Sequence, residues 1–225
     1  IIKWCLNNFK KYVFLTEAMN VVNERKRPYI VMEGMSDRFM ATYKRPFEAK
    51  DIKVVMYAGG LHERYGLKKL TEAFMMLPQE NFRLKLFGSG PFVEKLKTKY
   101  TKKDSRIQYM GVAPNAEVVA AELDASLLVN PRPTHEEFTK YSFPSKNIEY
   151  MASGTPLLTT KLPGMPKEYY PYVFLIENES VEGYAKALES VLAQSDEELY
   201  VFGEKAKDFV LEKKNSFEQA KRVIE

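Results

Sequence analysis

Residues 53–66, Lys53-Val54-Val55-Met56-Tyr57-Ala58-Gly59-Gly60-Leu61-His62-Glu63-Arg64-Tyr65-Gly66, carry the pattern that decides the fold. Val54–Ala58 is a continuous apolar run of strand length with no polar alternation, so it reads as a strand covered on both faces. Two glycines end it, and from Leu67 the apolar period becomes helical. The same unit recurs along the chain. Arg83–Phe87, Ile107–Met110, Ser126–Val129, Leu157–Thr160 and Tyr172–Ile176 are further strand candidates. Leu67–Met76, Phe92–Tyr100, Ala116–Leu123, Ser145–Ala152 and Val181–Leu192 read as the intervening helices, and Glu197–Lys213 and Phe217–Ile224 as two more. Strands that alternate with helices and are bounded by Gly and Pro predict a doubly wound, Rossmann-like α/β domain on a parallel six-stranded sheet.

Upstream of this unit the pattern is less regular. Tyr12–Leu15 and Tyr29–Met32 are short strand candidates on either side of a helical stretch, Glu17–Glu24, and Arg45–Asp51 reads as a linker because Pro46 interrupts it. The chain therefore divides into residues 1–50 and 51–225. It opens on Ile1-Ile2-Lys3-Trp4, without methionine and in mid-element, which is expected of a piece of a longer protein. Of 34 Lys+Arg and 30 Asp+Glu, ten and five fall in residues 1–50, so the net +4 belongs to the first segment. That surplus is either a solvated basic segment or a contact for an acidic partner such as a membrane surface or nucleic acid.

Composition narrows the class. Hydrophobic residues at 45% and charged residues at 28% exclude disordered, collagenous and coiled-coil chains. The single cysteine, Cys5, excludes a disulfide framework and a multi-cysteine zinc site, and is expected to be an inert, buried or half-buried thiol. His62 and His135 lie far apart, which argues against a catalytic metal centre. There is no apolar run near the ~20 residues of a membrane span and no signal-peptide pattern at the start, so a soluble protein of a reducing compartment is expected.

Ligands of such sheets bind outside the carboxyl ends of the strands. Glycine or proline clusters follow five of the strand candidates: Gly59-Gly60, Gly88-Ser89-Gly90-Pro91, Gly111-Val112-Ala113-Pro114, Pro131-Arg132-Pro133 and Pro163-Gly164. The first cluster lets backbone approach a ligand ahead of a helix N-terminus, and Arg64 adds a fork suited to phosphate. It is neither a Walker loop nor a G-x-G-x-x-G turn. The segment from Asn130 to Pro156 is the richest. Ser142 is a candidate N-cap, Pro144 fits the first helical turn and Gly154 the C-cap, with Ile148, Met151 and Ala152 facing the sheet. Lys146 and Glu149, at i and i+3, share another face: the lysine can meet a phosphate, and the carboxylate can accept two hydroxyl hydrogen bonds, as a ribose offers. An ordinary surface ion pair is the other reading. The long loop before this helix favours a functional one. His135 beside Glu136 is expected to be solvated, and the aromatics from Tyr169 to Phe174 to pack in the core.

The run Phe143-Pro144-Ser145-Lys146-Asn147-Ile148-Glu149-Tyr150-Met151-Ala152-Ser153-Gly154-Thr155-Pro156 resembles the donor-site helix of family 4 glycosyltransferases, which have the GT-B fold. Gly59-Gly60-Leu61 with Arg64-Tyr65-Gly66 resembles that family's glycine-rich loop, Leu86–Pro91 its second-strand turn, and Tyr109-Met110-Gly111-Val112 the segment contacting the base. Glu33-Gly34-Met35-Ser36-Asp37 resembles the turn ending the N-terminal domain. The similarity covers about residues 53–193.

The resemblance implies transfer of a sugar from a nucleotide diphosphate sugar to a glycan or lipid-linked acceptor in surface polysaccharide or glycan biosynthesis, with retention at the anomeric carbon. No cofactor, no metal ion and no nucleic acid partner are implied. Residues 1–50 then end an acceptor domain, and residues 51–225 form the donor domain with its C-terminal helices. Arg64 and Lys146 stabilise the diphosphate leaving group, Glu149 binds the ribose, and Gly59, Gly60, Gly88, Gly111, Phe143 and Ser145 line the donor. The implied location is cytoplasmic, with peripheral contact at the inner face of the cell membrane through the N-terminal part.

Three departures qualify this. Tyr141 stands where the family's first motif glutamate would be, leaving Glu136 or Glu137 to replace it. Gly60 and Tyr65 stand where the glycine loop has arginine and lysine. Most of an acceptor domain is absent, so the piece is expected to bind donor and transfer little. A non-catalytic nucleotide-sugar-binding module and a sugar-nucleotide epimerase are the alternatives.

Overall fold

The computed structural model describes residues 5, 6 and 8–224; the expectation about the opening residues Ile1–Trp4 lies outside them. The main sheet comprises β3 (Lys53–Ala58), β4 (Phe82–Phe87), β5 (Ile107–Gly111), β6 (Leu127–Asn130), β7 (Leu157–Thr160) and β8 (Phe174–Ile176), preceded in the chain by β1 (Tyr12–Phe14) and β2 (Tyr29–Val31). The six strands run parallel in the order β5-β4-β3-β6-β7-β8. The chain winds outward from β3 in one direction and from β6 in the other, so the topological switch lies between these two strands.

The helices are α1 (Leu67–Phe74), α2 (Phe92–Lys95), α3 (Asn115–Asp124), α4 (Ser145–Ser153), α5 (Val181–Leu192), α6 (Asp196–Lys213) and α7 (Ser216–Ile224). A π-type turn, Leu96–Tyr100, and a last turn, Thr101–Lys103, prolong α2. Both sheet faces are covered, which accounts for the unbroken apolar run of β3. Val55 and Tyr57 join one core with Leu70, Phe74 and Leu188 of α1 and α5. Val54, Met56 and Ala58 join the other with Val119, Ile148, Met151, Ala206 and Val210 of α3, α4 and α6.

Three local expectations are corrected. Tyr172 belongs not to the last strand but to a 3-10 helix, Lys167–Tyr172, which contains Pro171. Ser142 does not cap α4: its hydroxyl donates to the Phe138 carbonyl at 3.0 Å, and Pro144 occupies the cap position, where no amide donor is needed. Cys5 is exposed rather than buried. The C-cap holds, with Gly154 at φ 79°. Tyr169 is fully buried, as a core aromatic should be.

β1 and β2 form a separate parallel pair. The turn after β2 grips the C-terminal helices: Lys214 lies 2.6 Å from both Glu33 and Glu168, and the Tyr169 hydroxyl donates to Glu33 at 2.6 Å. Gln219 donates to the Gly34 carbonyl at 2.8 Å. Arg45, in the stretch read as a linker, donates to the Leu123, Ala125 and Gly154 carbonyls and so caps the ends of α3 and α4. Among the described residues, no helix is long and apolar enough to cross a membrane.

Candidate functional site at the carboxyl ends of the strands

The loops after β3, β4 and β5 interlock through backbone. Gly59 N–H donates to the Phe87 carbonyl at 3.0 Å, Gly88 N–H to Gly111 at 2.7 Å, and Leu61 N–H to Ser89 at 2.8 Å. Only glycine fits at 88: φ is +123°, and an added Cβ would lie 1.9 Å from the Gly59 carbonyl oxygen. Gly59 and Gly60 are half-exposed at this rim, and so is Gly111, around which a Cβ would meet nothing within 4 Å.

α4 is brought to the same rim by two buried polar contacts. Ala58 N–H donates to the Tyr150 hydroxyl at 2.8 Å, and that hydroxyl donates back to the Ala58 carbonyl at 3.0 Å. Asn130, at the end of β6, donates to Asn147 Oδ1 at 2.6 Å. Buried amides and hydroxyls need such partners, so α4 is locked to the end of β6 through Asn147 in its N-terminal half and to the end of β3 through Tyr150 one turn on. Burial raises the Tyr150 pKa well above that of a free tyrosine and keeps it a neutral hydrogen-bonding group.

From that half of α4 the Lys146 ammonium reaches Glu149 at 3.0 Å and stands 5.8 Å from the Tyr150 ring centre. Beneath it, 3.9 Å away, lies Glu122 of α3, which is fully buried and, among the described residues, has no hydrogen-bond partner on either carboxylate oxygen. Desolvation and the nearby Glu149 charge push the Glu122 pKa up to about 8, while Lys146 pulls it back.

A second cluster stands by the glycine loop. The Arg132 guanidinium, just past β6, lies 5.3 Å from the Tyr65 ring centre and 5.5 Å from that of Phe138. Arg64 covers Phe138 at 4.8 Å and pairs with Glu136 at 3.5 Å. Burial lowers the Arg132 pKa and raises that of Tyr57 to about 12. Thr134 fixes the loop by donating from N–H and hydroxyl to Glu179.

The residues expected at the site thus divide. Gly59, Gly60, Gly88, Gly111, Lys146 and Glu149 meet at the carboxyl ends of the strands. Arg64 is exposed beside them, and Ser145 is exposed in the first turn of α4. The Phe143 side chain is buried against Tyr169, with ring centres 5.0 Å apart, which leaves its backbone to serve a ligand. His135 is exposed, and Tyr141, Glu136 and Glu137 lie in or beside the turn Glu137–Lys140. The reading by residue type passed over Arg132 and Glu122. A carboxylate one turn after Val118 and Val119, on the apolar stripe of α3, was the available signal for Glu122. Among the described residues, no three His, Cys, Asp or Glu side chains group to hold a metal ion.

Comparison with known proteins places this arrangement. Residues 41–209 match the family described as glycosyl transferases group 1. Over 112 residues the chain is 30% identical to an Escherichia coli (strain K12) protein named as a colanic acid biosynthesis glycosyltransferase, WcaL; the match covers 48% of this chain and 27% of that protein. Among solved structures, sucrose-phosphate synthase from Thermosynechococcus elongatus superposes with a TM-score of 0.75 at 19% identity, covering 99% of this chain and 58% of that one. HepE of Anabaena, in complex with UDP and glucose, superposes with a TM-score of 0.72 at 13% identity, covering 96% and 62%. The chain therefore spans about a quarter of the curated relative and about three-fifths of these two structures. With three-quarters of its length inside the family match and the α/β fold of GT-B glycosyltransferases, the chain belongs to the glycosyl transferases group 1 family.

Proposed function

We propose that the protein containing this chain transfers a sugar from a nucleoside diphosphate sugar to a hydroxyl of a glycan or lipid-linked acceptor in polysaccharide biosynthesis, with retention at the anomeric carbon. The carrying observation is the locked placement of Lys146 and Glu149 beside the glycine loops, at the switch point between β3 and β6. Glu149 accepts the ribose hydroxyls. Lys146 and Arg64 meet the diphosphate, and Gly59, Gly60, Gly88 and Gly111 let it approach backbone.

In the transfer the bond from the anomeric carbon to the β-phosphate oxygen breaks, its electrons staying with the diphosphate. The acceptor oxygen bonds to that carbon from the face the diphosphate leaves, and its proton passes to the departing phosphate oxygen. The cations stabilise the charge that develops on the departing phosphate, a role that asks for no metal ion. In this reading residues 51–225 are the donor half, residues 1–50 end the acceptor half, and the reaction takes place on the cytoplasmic side, next to a membrane when the acceptor is lipid-linked.

Calorimetric titration with UDP, GDP and ADP tests the donor assignment: at least one should bind at millimolar concentration or below. Folded protein that binds none of the three would overturn the reading. Donor binding by the full-length protein with neither transfer nor donor hydrolysis across an acceptor panel would replace it with a non-catalytic binding module.

A further inference from the structure

Of the arginines that are not exposed, three are satisfied within the protein. Arg45 donates to three carbonyls, Arg83 to two, and Arg106 to Asp104 at 2.7 Å and to the Leu77 and Gln79 carbonyls. Arg132 is the exception. Its Nε is buried with no hydrogen-bond partner, and among the described residues no carboxylate lies within ion-pair distance of its guanidinium. Its neighbours are the faces of Tyr65 and Phe138, which hold a planar cation in place without neutralising it. Taking a cation out of water without a counter-charge is unfavourable, and the lowered Arg132 pKa reflects that burial. The site is electrostatically incomplete as it stands.

Its location says what would complete it. Arg132 leaves β6 two residues after Asn130, and its own carbonyl is pinned by the Thr160 hydroxyl at 2.5 Å. Pro131, just before it, is packed so closely on Gly66 that a Cβ there would lie 1.8 Å from the Pro131 carbonyl oxygen. The guanidinium is thereby carried on rigid backbone to the double-glycine loop after β3. The neighbouring cations are compensated: Lys146 by Glu149 and Arg64 by Glu136.

We propose that Arg132 is the principal anion-holding residue of the site and receives the diphosphate group of the donor on its free fork; naming that anion a donor diphosphate rests on the functional reading above. Phe138 then serves as a shared wall, with Arg132 and Arg64 against it, and Tyr65 fixes the plane of the fork.

The test is calorimetry with inorganic pyrophosphate, with UDP, GDP and ADP, and with the parent nucleosides, on wild type, Arg132→Gln and Arg132→Met. Methionine keeps an apolar stem between the two rings, so it separates lost charge from lost packing. Both variants should bind pyrophosphate and the favoured nucleoside diphosphate about 10- to 100-fold more weakly, the range for a lost charged hydrogen bond, and bind the nucleoside as wild type does. Arg64→Gln should change pyrophosphate affinity far less. Unchanged pyrophosphate affinity in both variants would overturn the proposal, as would equal losses for pyrophosphate and nucleoside. Wild type that binds pyrophosphate through Arg132 but no nucleoside diphosphate would keep the anion site and remove the glycosyl-donor reading. Wild type that binds neither would remove both.

Discussion

The two charged clusters at the carboxyl ends of the sheet are built on opposite principles. On α4, the Lys146 ammonium pairs with Glu149 at 3.0 Å above the buried Glu122, so its charge is answered from inside the protein by Glu149. By the glycine loop, Arg132 is framed by aromatic rings and, among the described residues, left without a counter-charge. The free protein therefore presents a positive half next to an internally paired half. A nucleoside diphosphate has the same division, with an anionic diphosphate beside a neutral, hydroxyl-bearing ribose. In the paired half the Glu149 carboxylate can accept hydroxyls while Lys146 reaches the phosphate edge; in the positive half the unanswered Arg132 recruits the anion.

The largest expected effect would break the positive half at its base. Gly88→Ala places a Cβ on the Gly59 carbonyl at a backbone angle that disfavours side chains, and should lower stability by about 4 kcal/mol, read from thermal or denaturant unfolding. Loss below about 1 kcal/mol would mean that the interlocked loops are loose.

Glu122 sharpens the other half. Its folded pKa of about 8 stands above the ordinary 4.5, so the folded protein keeps a proton that the unfolded chain has released. The contribution is most favourable below pH 4.5 and is lost as pH rises to about 8. Glu122→Gln should flatten this slope and stabilise the protein at pH 8 by on the order of a few kcal/mol relative to wild type, with little gain at pH 4. A wild-type stability that does not fall over this interval would show that Lys146 neutralises Glu122 fully.

Smaller effects separate the ligand's parts. Lys146→Ala should weaken nucleoside diphosphate binding by about 1.5–3 kcal/mol and nucleoside binding much less. Glu149→Gln should show the reverse preference, weakening the nucleoside and leaving pyrophosphate unchanged. Arg64→Gln should be the mildest, within about 0.5 kcal/mol of wild-type stability, because its pair with Glu136 is solvent-exposed.

The sheet was legible in the sequence because its central strands are covered on both faces and read as continuous apolar runs such as Val54–Ala58, while β4 alternates, with Arg83 and Lys85 half-buried between buried residues. Lys146 and Glu149 were legible because i, i+3 spacing on a capped helix fixes which side chains meet. Arg132 was not. Its character comes from Tyr65, which sheet winding brings from the loop after β3, from Phe138 further along its own loop, and from the absence of a carboxylate among the described residues, which no local pattern encodes. Ser142 was misread for a related reason: it precedes α4 by position, yet its hydroxyl turns back to Phe138, while Phe143 beside it turns its ring into the core against Tyr169. Tyr172 looked like strand because the aromatics around it are apolar in sequence, while Pro171 holds it in the 3-10 turn.

The most direct test of the divided site is a crystal structure of the protein with whichever of UDP, GDP or ADP binds most tightly. Diphosphate oxygens should lie within hydrogen-bond reach of the Arg132 guanidinium, with the ribose hydroxyls on Glu149. A diphosphate seated on Lys146 alone, with Arg132 still unpartnered between Tyr65 and Phe138, would contradict that division.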